Sequence, residues 1–61
     1  MSTIRIEATQ GGWRVLHGKA LVTTLADEAD AFRAALDYCS QLFLLGVRAR
    51  VELDKPSAFA A

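Results

Sequence analysis

The sequence predicts a small α+β domain in which a four-stranded sheet is covered on one face by a single helix. Three short segments of alternating polarity come first, and a segment with helical periodicity follows at 28–45. A fourth alternating segment comes after the helix. The predicted order is therefore β-β-β-α-β, in one domain at 1–61 with a short C-terminal tail at 54–61.

The first three strands are predicted to form an antiparallel meander. Residues 3–9 alternate between apolar and polar side chains, as a half-buried strand does. Glycines at 11–12 and a His-Gly pair at 17–18 supply two tight turns, which leaves strands at 13–16 and 19–24. The apolar side chains that this alternation directs toward the helix are Ile4, Ile6, Ala8, Trp13, Val15, Ala20 and Val22.

Parity restricts the pairing of these strands, because residues directly opposite each other on antiparallel strands share a face. In the first hairpin Val15 can lie opposite either Ala8 or Ile6, and both registers keep apolar residues together. The sequence leaves that choice open. In the second hairpin a turn at 17–18 pairs Val15 with Ala20.

The helix and the last strand have clear boundary signals. Asp27 is suited to the N-cap because its carboxylate can accept hydrogen bonds from free backbone amides. Gly46 is suited to end the helix in the left-handed conformation. Residues 47–53 then alternate and predict a fourth strand parallel to the first and third. Because the first and third strands run in the same direction, the fourth can lie beside either, and we favour a central position beside the first strand.

The helix carries more apolar surface than one core contact needs. A narrow stripe, with alanines on its two sides, is predicted to face the sheet. Its members are Phe32, Leu36, Cys39 and Phe43, flanked by Ala29 and Ala35. A second apolar flank is predicted to contact another copy or a protein partner. The predicted contact residues are Ala31, Ala34, Tyr38, Leu42, Leu45 and, in the tail, Phe59. The alternative is that Phe59 folds back over this flank within the monomer.

The outer face of the predicted sheet is locally basic. Its cations are Arg5, Arg14, Lys19, Arg48 and Arg50, and its carboxylates are Glu7 and Glu52. Guanidinium groups bind phosphates and carboxylates, so this face is a candidate anion or nucleic-acid contact. Trp13 is predicted to point inward, so the outer face lacks the aromatic side chains on which single-stranded nucleic acids stack.

The composition argues against several classes of function. Seven basic and seven acidic residues give a formal net charge of zero, which disfavours a globally basic nucleic-acid binder. One cysteine, Cys39, and one histidine, His17, cannot form an internal disulfide or a structural zinc site. His17 is interpreted as a turn residue with no nucleophile or carboxylate placed near it. We expect no enzyme activity, no catalytic residue, no metal and no cofactor.

The chain lacks the sequence features of exported and membrane-spanning proteins. No apolar run approaches the ~20 residues that cross a bilayer. The N-terminus has neither the basic start nor the apolar centre of a signal peptide. We expect a cytoplasmic protein with no membrane contact.

The segment Gly11-Gly12-Trp13-Arg14-Val15, followed by a third strand and by Asp27-Glu28-Ala29-Asp30-Ala31 opening a helix, resembles a set of small uncharacterised bacterial proteins. In that group a Gly-Trp-x-Val hairpin precedes an Ala-rich helix and a last strand. The likeness covers most of 3–53, and this chain departs from it in its Leu-Phe-Leu-Leu helix end and its apolar tail. The resemblance implies the same fold and a bacterial or phage setting, and it implies no activity.

The sequence thus predicts a small non-catalytic protein-interaction module. It would act as a homodimer, or bind a protein partner, through the apolar helix flank. The alternative function is a nucleic-acid-binding module that uses the basic outer face of the sheet.

Overall fold

The computed structural model describes residues 2–54 and confirms the α+β fold. Its elements are β1 (Ser2–Thr9), β2 (Gly12–His17), β3 (Ala20–Leu25), α1 (Glu28–Leu44) and β4 (Ala49–Asp54). The four strands form one mixed sheet in the order β3-β2-β1-β4. β1 and β2, and β2 and β3, pair antiparallel, whereas β4 pairs parallel with β1.

The last strand lies beside β1, as expected, but at the edge of the sheet and not in a central position. The meander itself explains this difference. One side of β1 already pairs with β2, so a strand that joins β1 can add only to its outer side. Among the strands of residues 2–54, β4 therefore has a neighbour on one side only. Asp54, which was assigned to the tail, is the last residue of β4, and the rest of the predicted tail lies outside the described residues.

The first hairpin adopts one of the two registers that the sequence left open. Ile6 lies opposite Val15, and Glu7 lies opposite Arg14. This register places two fully buried apolar side chains beside each other on the helix side of the sheet. It also places a carboxylate beside a guanidinium on the other side.

The predicted register of the second hairpin is wrong. His17 is the last residue of β2 and pairs with Ala20, so the turn lies one residue later than expected. Val15 lies opposite Thr23 because the register shifts by one residue further along the hairpin. This β-bulge adds a residue to β3 and brings Leu25 opposite Trp13 on the inner face. Local alternation does not reveal a bulge of this kind.

Both ends of α1 lie close to their predicted positions. Asp27 is the N-cap, but its side chain makes no capping hydrogen bond, contrary to our expectation. At the other end Gly46 has φ +82°. Its amide donates to the carbonyl of Phe43 at 3.0 Å, and the amide of Val47 donates to the carbonyl of Leu42 at 2.9 Å. These two bonds form a Schellman motif, which needs a residue with positive φ and so favours glycine.

The core lies between the sheet and α1. Its fully or nearly fully buried side chains are Ile4, Ile6, Val15, Ala31, Ala35 and Leu42. Three of these residues, Ile4, Ile6 and Val15, lie in β1 and β2. Their burial confirms that they point toward the helix, as the alternation predicted. The helix residues of the set were predicted differently, and they show which side of α1 faces the sheet.

The predicted orientation of the helix about its axis is wrong by roughly a quarter turn at ~100° per residue. Ala31 and Leu42, assigned to the partner flank, are in the core, whereas Leu36 and Phe43, assigned to the core stripe, are exposed. The physical reason is steric. Ala31 and Ala35 are small and one turn apart, so the helix can approach the sheet more closely on that side than on a side that carries phenylalanines.

Candidate interaction surface

An exposed apolar surface is present on α1, and of its residues only Leu45 was among the predicted contacts. The exposed fraction is 57% for Leu36, 73% for Phe43, 83% for Leu44 and 78% for Leu45. Leu36, Phe43 and Leu44 are spaced at i, i+7 and i+8, so they follow one side of the helix. We call these three residues, together with Leu45 at the helix end, the apolar flank. Side chains of Cys39, Ser40, Phe43 and Leu44 line a shallow open depression on it.

The predicted contact residues divide between this surface and the core. Ala31 and Leu42 are buried, and Ala34 and Tyr38 are partly buried and pack against the core. These four residues therefore support the monomer and present little or no surface to a partner. Leu45 is exposed, as its predicted role requires. Phe59, including its possible packing over the helix, lies outside the described residues.

Two residues of the apolar flank, Leu36 and Phe43, lie on the side of α1 nearest to β4. The Cys39 thiol donates to the carbonyl of Ala49 at 3.6 Å, which places this side of the helix beside β4. Leu36 and Phe43 lie three residues before and four residues after Cys39, so helical spacing puts them on the same side. On β4 itself, Leu53 is opposite Ile6 and shares its inner face, yet it is 37% exposed. The apolar flank thus adjoins the open edge of the sheet.

His17 and Tyr38 form a packed pair on the other side of the helix. Nδ1 of His17 lies 3.1 Å from the hydroxyl oxygen of Tyr38, and the two rings meet edge to face with centroids 5.4 Å apart. Both side chains are partly buried. This hydrogen bond joins the end of β2 to α1, so His17 is not the turn residue that we expected. Tyr38 likewise anchors α1 to the sheet within the monomer.

The charged groups on the outer face of the sheet are largely paired with one another. Nε of Arg14 donates to Glu7 at 2.7 Å, and the Arg5 guanidinium lies 3.5 Å from the second oxygen of that carboxylate. Arg50 and Glu52 form a further ion pair at 2.8 Å. Of the five predicted anion contacts, three are therefore neutralised in part by neighbouring carboxylates.

The two other predicted cations lie away from these pairs. Lys19 is in the turn before β3, and Arg48 immediately precedes β4. Both are exposed, and within residues 2–54 neither forms an ion pair. The cations left free are thus at separate places and do not form a continuous basic patch. The nucleic-acid function stays a prediction, and this geometry gives it little support.

The Glu7 carboxylate is held in its charged form. The hydrogen bond from Arg14 is the largest cause of the lowered pKa of Glu7, and the Arg5 and Arg14 charges lower that pKa further, while desolvation opposes them. A group whose pKa is lower in the folded state than in the unfolded state adds stability above its unfolded pKa. That stability is lost as the pH falls through the folded value.

Replacing Glu7 should therefore reduce the acid sensitivity of the fold. We expect Glu7→Gln to lower the free energy of unfolding at pH 7 by about 0.5–1 kcal/mol, the usual size for a partly exposed pair. The difference between variant and wild type should shrink as the pH falls below ~4.3, because Glu7 of the unfolded chain then becomes protonated, and it should be lost once the pH is below the lower pKa of the folded state. Urea unfolding at several pH values measures this difference. The matched control is Arg14→Gln, which removes the partner of the same ion pair and leaves the Glu7 carboxylate in place. A pH-independent difference for Glu7→Gln would contradict the prediction.

Comparison with protein-family models, curated proteins and solved structures finds no match to this chain. The resemblance to small bacterial proteins therefore stays a prediction. Within residues 2–54, no helix is long and apolar enough to cross a membrane. In the same part of the chain, no group of three or more His, Cys, Asp or Glu side chains is arranged to hold a metal ion.

The fold and the surface together define a class: a small α+β domain with an apolar helix flank beside an open sheet edge. Sequence reasoning found the excess of apolar residues but missed that Leu36, Phe43 and Leu44 are the ones exposed. The signal that could have identified two of them is the Leu-Phe-Leu-Leu run at 42–45. Four consecutive apolar residues span all sides of a helix, so some of them must lie outside a one-sided core.

Proposed function

We propose that this chain is a non-catalytic protein-interaction module that works as a homodimer or by binding a protein partner. The contact surface in this proposal is the apolar flank. The observation that carries it is the exposure of three large side chains at the C-terminal end of α1, namely Phe43, Leu44 and Leu45. Each is more than 70% exposed, although smaller alanines of the same helix are buried.

The physical argument rests on how these side chains are grouped. Single exposed leucines are common on monomeric proteins, but contiguous apolar patches mark interaction sites more often. Here Leu36, Phe43 and Leu44 follow one helix side, and Val47 and Leu53 add partly exposed apolar surface on the segment after it. Burying apolar area removes it from water, which favours association by about 25 cal/mol per Å² before the costs of binding. An aromatic anchor such as Phe43 is typical of interface centres.

The mode of action in this proposal is occlusion or scaffolding by surface contact. The polar side chains of His17 and Tyr38 beside α1 are already hydrogen-bonded to each other within the monomer. No buried side-chain nitrogen or oxygen within residues 2–54 is left without a hydrogen-bond partner. The apolar flank is therefore a feature of residues 2–54 for which the monomer offers no internal use.

Two matched leucine substitutions test the proposal. Leu36 and Leu21 are 57% and 59% exposed, but Leu36 is on the apolar flank and Leu21 is on β3. We expect Leu36→Gln to weaken association about tenfold, because glutamine keeps the helix but cannot replace the apolar contact. Leu21→Gln should leave association unchanged. Sedimentation velocity across micromolar concentrations measures the dissociation constant of each variant.

Two results would contradict the proposal. One is a wild-type chain that stays a compact monomer at every concentration and retains no protein partner on purification from its native source. The other is a wild type that associates while Leu36→Gln and Phe43→Gln associate equally well.

A further inference from the structure

We propose that a second copy of this chain adds to the open edge of β4 in antiparallel orientation, so that two sheets join across a two-fold axis at Val51. This inference rests on the proposed function and deepens it, because it names the partner and the pairing register. It does not follow from the apolar flank alone. It follows from the order of charges along 48–54 and from the backbone groups that β4 leaves unpaired.

The backbone of β4 has a regular set of hydrogen-bonding groups that do not bond to β1. The amide of Ser2 donates to the carbonyl of Arg48 at 3.0 Å, and Ser2 is the register partner of Ala49. In a parallel pair this pattern directs the backbone amides and carbonyls of the even-numbered β4 residues toward β1. The amides and carbonyls of Ala49, Val51 and Leu53 then point away from β1, toward a side on which residues 2–54 place no neighbouring strand. The carbonyl of Ala49 also accepts from the Cys39 thiol, and its second lone pair is available to an added strand. An added antiparallel strand can bond to all three.

The charges along this edge are complementary between two copies of β4 that run in opposite directions. Residues 48–54 are Arg-Ala-Arg-Val-Glu-Leu-Asp, with two cations before the central valine and two carboxylates after it. Antiparallel pairing of two copies about Val51 places Arg50 opposite Glu52 of the other copy. It also places Arg48 opposite Asp54 of the other copy. Each contact occurs twice because the axis is two-fold, and opposite charges on facing residues stabilise strand pairs.

Neighbouring registers lack this complementarity. The nearest other antiparallel registers that keep the unpaired backbone groups opposite each other have the two-fold axis at Arg50 or at Glu52. The first places two Arg50 guanidiniums opposite each other, and the second places two Glu52 carboxylates opposite each other. Like charges on directly opposite residues are destabilising. In a parallel in-register pair every charged residue would lie beside its own copy. The register centred on Val51 therefore satisfies all four charged positions.

The monomer leaves two of these charges available. Arg48 and Asp54 are exposed, and neither forms an ion pair within residues 2–54. Arg50 and Glu52 pair with each other along β4 at 2.8 Å, with both side chains well exposed. Surface pairs of this kind contribute little to the monomer, so exchanging them for pairs across the axis costs little.

The helix side of the same pairing is apolar. Ala49 meets Leu53 of the other copy, and Val51 meets its own copy, all on the face that carries α1. A two-fold axis perpendicular to the sheet puts both helices on that face. Leu36 and Phe43 of each copy then lie on the sides of the two helices that are nearest to the joined β4 strands. One contact would thus join the two open edges and place apolar surface of both helices on the same face of the joined sheet.

The other edge of the sheet is less suited to strand addition. β3 carries the β-bulge of the second hairpin, and bulges interrupt the regular spacing that an added strand needs. β4 pairs with β1 in unbroken register over its whole length. The structure therefore favours β4 as the edge that receives a second copy.

A charge-reversal pair tests the register. Arg50→Glu puts carboxylates opposite each other across the axis, and Glu52→Arg puts guanidiniums opposite each other. We expect each variant alone to dissociate about tenfold more readily than the wild type. Mixed in equal amounts, the two variants should form a heterodimer, because every cross-strand pair is then of opposite charge. Native mass spectrometry distinguishes the heterodimer from each homodimer by mass. Lys19→Glu changes the net charge as Arg50→Glu does and should leave homodimerisation unchanged.

The possible results bear differently on the β4 register and on the proposed function. Recovery of a heterodimer in the mixture supports the β4 register and shows that both variants fold. Single variants that associate like the wild type overturn the register, and if Leu36→Gln still weakens association, the proposed function stands. Loss of association in the single variants without recovery in the mixture also overturns the register. A wild type that is monomeric at all concentrations, with or without a bound partner protein, overturns this inference, and the absence of any partner overturns the proposed function as well.

Discussion

Ala31→Asp is expected to lower the free energy of unfolding of the domain by about 3–5 kcal/mol. Ala31 is fully buried in the core between α1 and the sheet. A carboxylate placed there loses its hydration without gaining a partner, which costs about 3–5 kcal/mol in comparable buried sites. A domain of 61 residues has a total stability of roughly 3–9 kcal/mol at the usual value per residue. The substitution should therefore remove about a third or more of this stability, and thermal unfolding followed by far-UV circular dichroism measures the loss.

The matched control is the same substitution two residues earlier. Ala29 is exposed in the first turn of α1, where a carboxylate interacts favourably with the helix dipole. Ala29→Asp should change the free energy of unfolding by less than about 1 kcal/mol. The helix orientation predicted from sequence gives the opposite ranking, because it placed Ala29 beside the core and Ala31 on the exposed flank. A stable Ala31→Asp variant would contradict the orientation of α1 described here.

Gly12→Ala is the second substitution with a large expected effect. A Cβ atom at Gly12 would lie 2.5 Å from the carbonyl oxygen of Leu25, and the residue has φ +156°. The clashing atom belongs to the backbone of β3, so it cannot move aside as a side chain can. Strained backbone of this kind costs on the order of 1–3 kcal/mol, and the overlap with Leu25 adds to that. Thermal unfolding should show a loss of about 2 kcal/mol or more in the free energy of unfolding.

Gly11→Ala is the control for this effect. A Cβ atom at Gly11 would meet no atom within 4 Å, and Gly11 does not have a positive φ. Replacing a glycine at such a position reduces the entropy of the unfolded chain and stabilises a protein by about 0.4–1 kcal/mol. The two adjacent glycines should therefore respond in opposite directions. Equal responses would mean that the close approach of Gly12 to β3 is not a feature of the folded protein.

Several features of the fold could be predicted from local sequence. The alternation in β1 and around Val15 identified the inward residues of the two central strands, and Asp27 and Gly46 marked the ends of α1. These signals are local, because side-chain alternation and helix termination depend on residues close together in the chain. The same is true of the first hairpin, whose observed register was one of two that parity allowed.

Other features could not be predicted because they depend on how distant elements meet. The β-bulge in the second hairpin adjusts β3 so that Leu25 reaches Trp13, and no alternation pattern within β3 announces it. The candidate surface was affected most. An apolar arc wider than one core contact admits more than one orientation on the sheet, and the close approach at Ala31 and Ala35 selected the observed one. That choice moved Leu36 and Phe43 from the predicted core to the surface.

The sequence by itself determined the fold class, the order of the elements, the ends of the helix and the presence of excess apolar surface on it. Only the tertiary structure decided which helix side remains uncovered, that β4 is an edge strand, and that Arg5 and Arg14 are paired with Glu7. The physical reason is the range of the interactions. Propensity, alternation and capping act between residues near in the chain, whereas close packing and charge pairing are settled when separate segments compete for one shared surface.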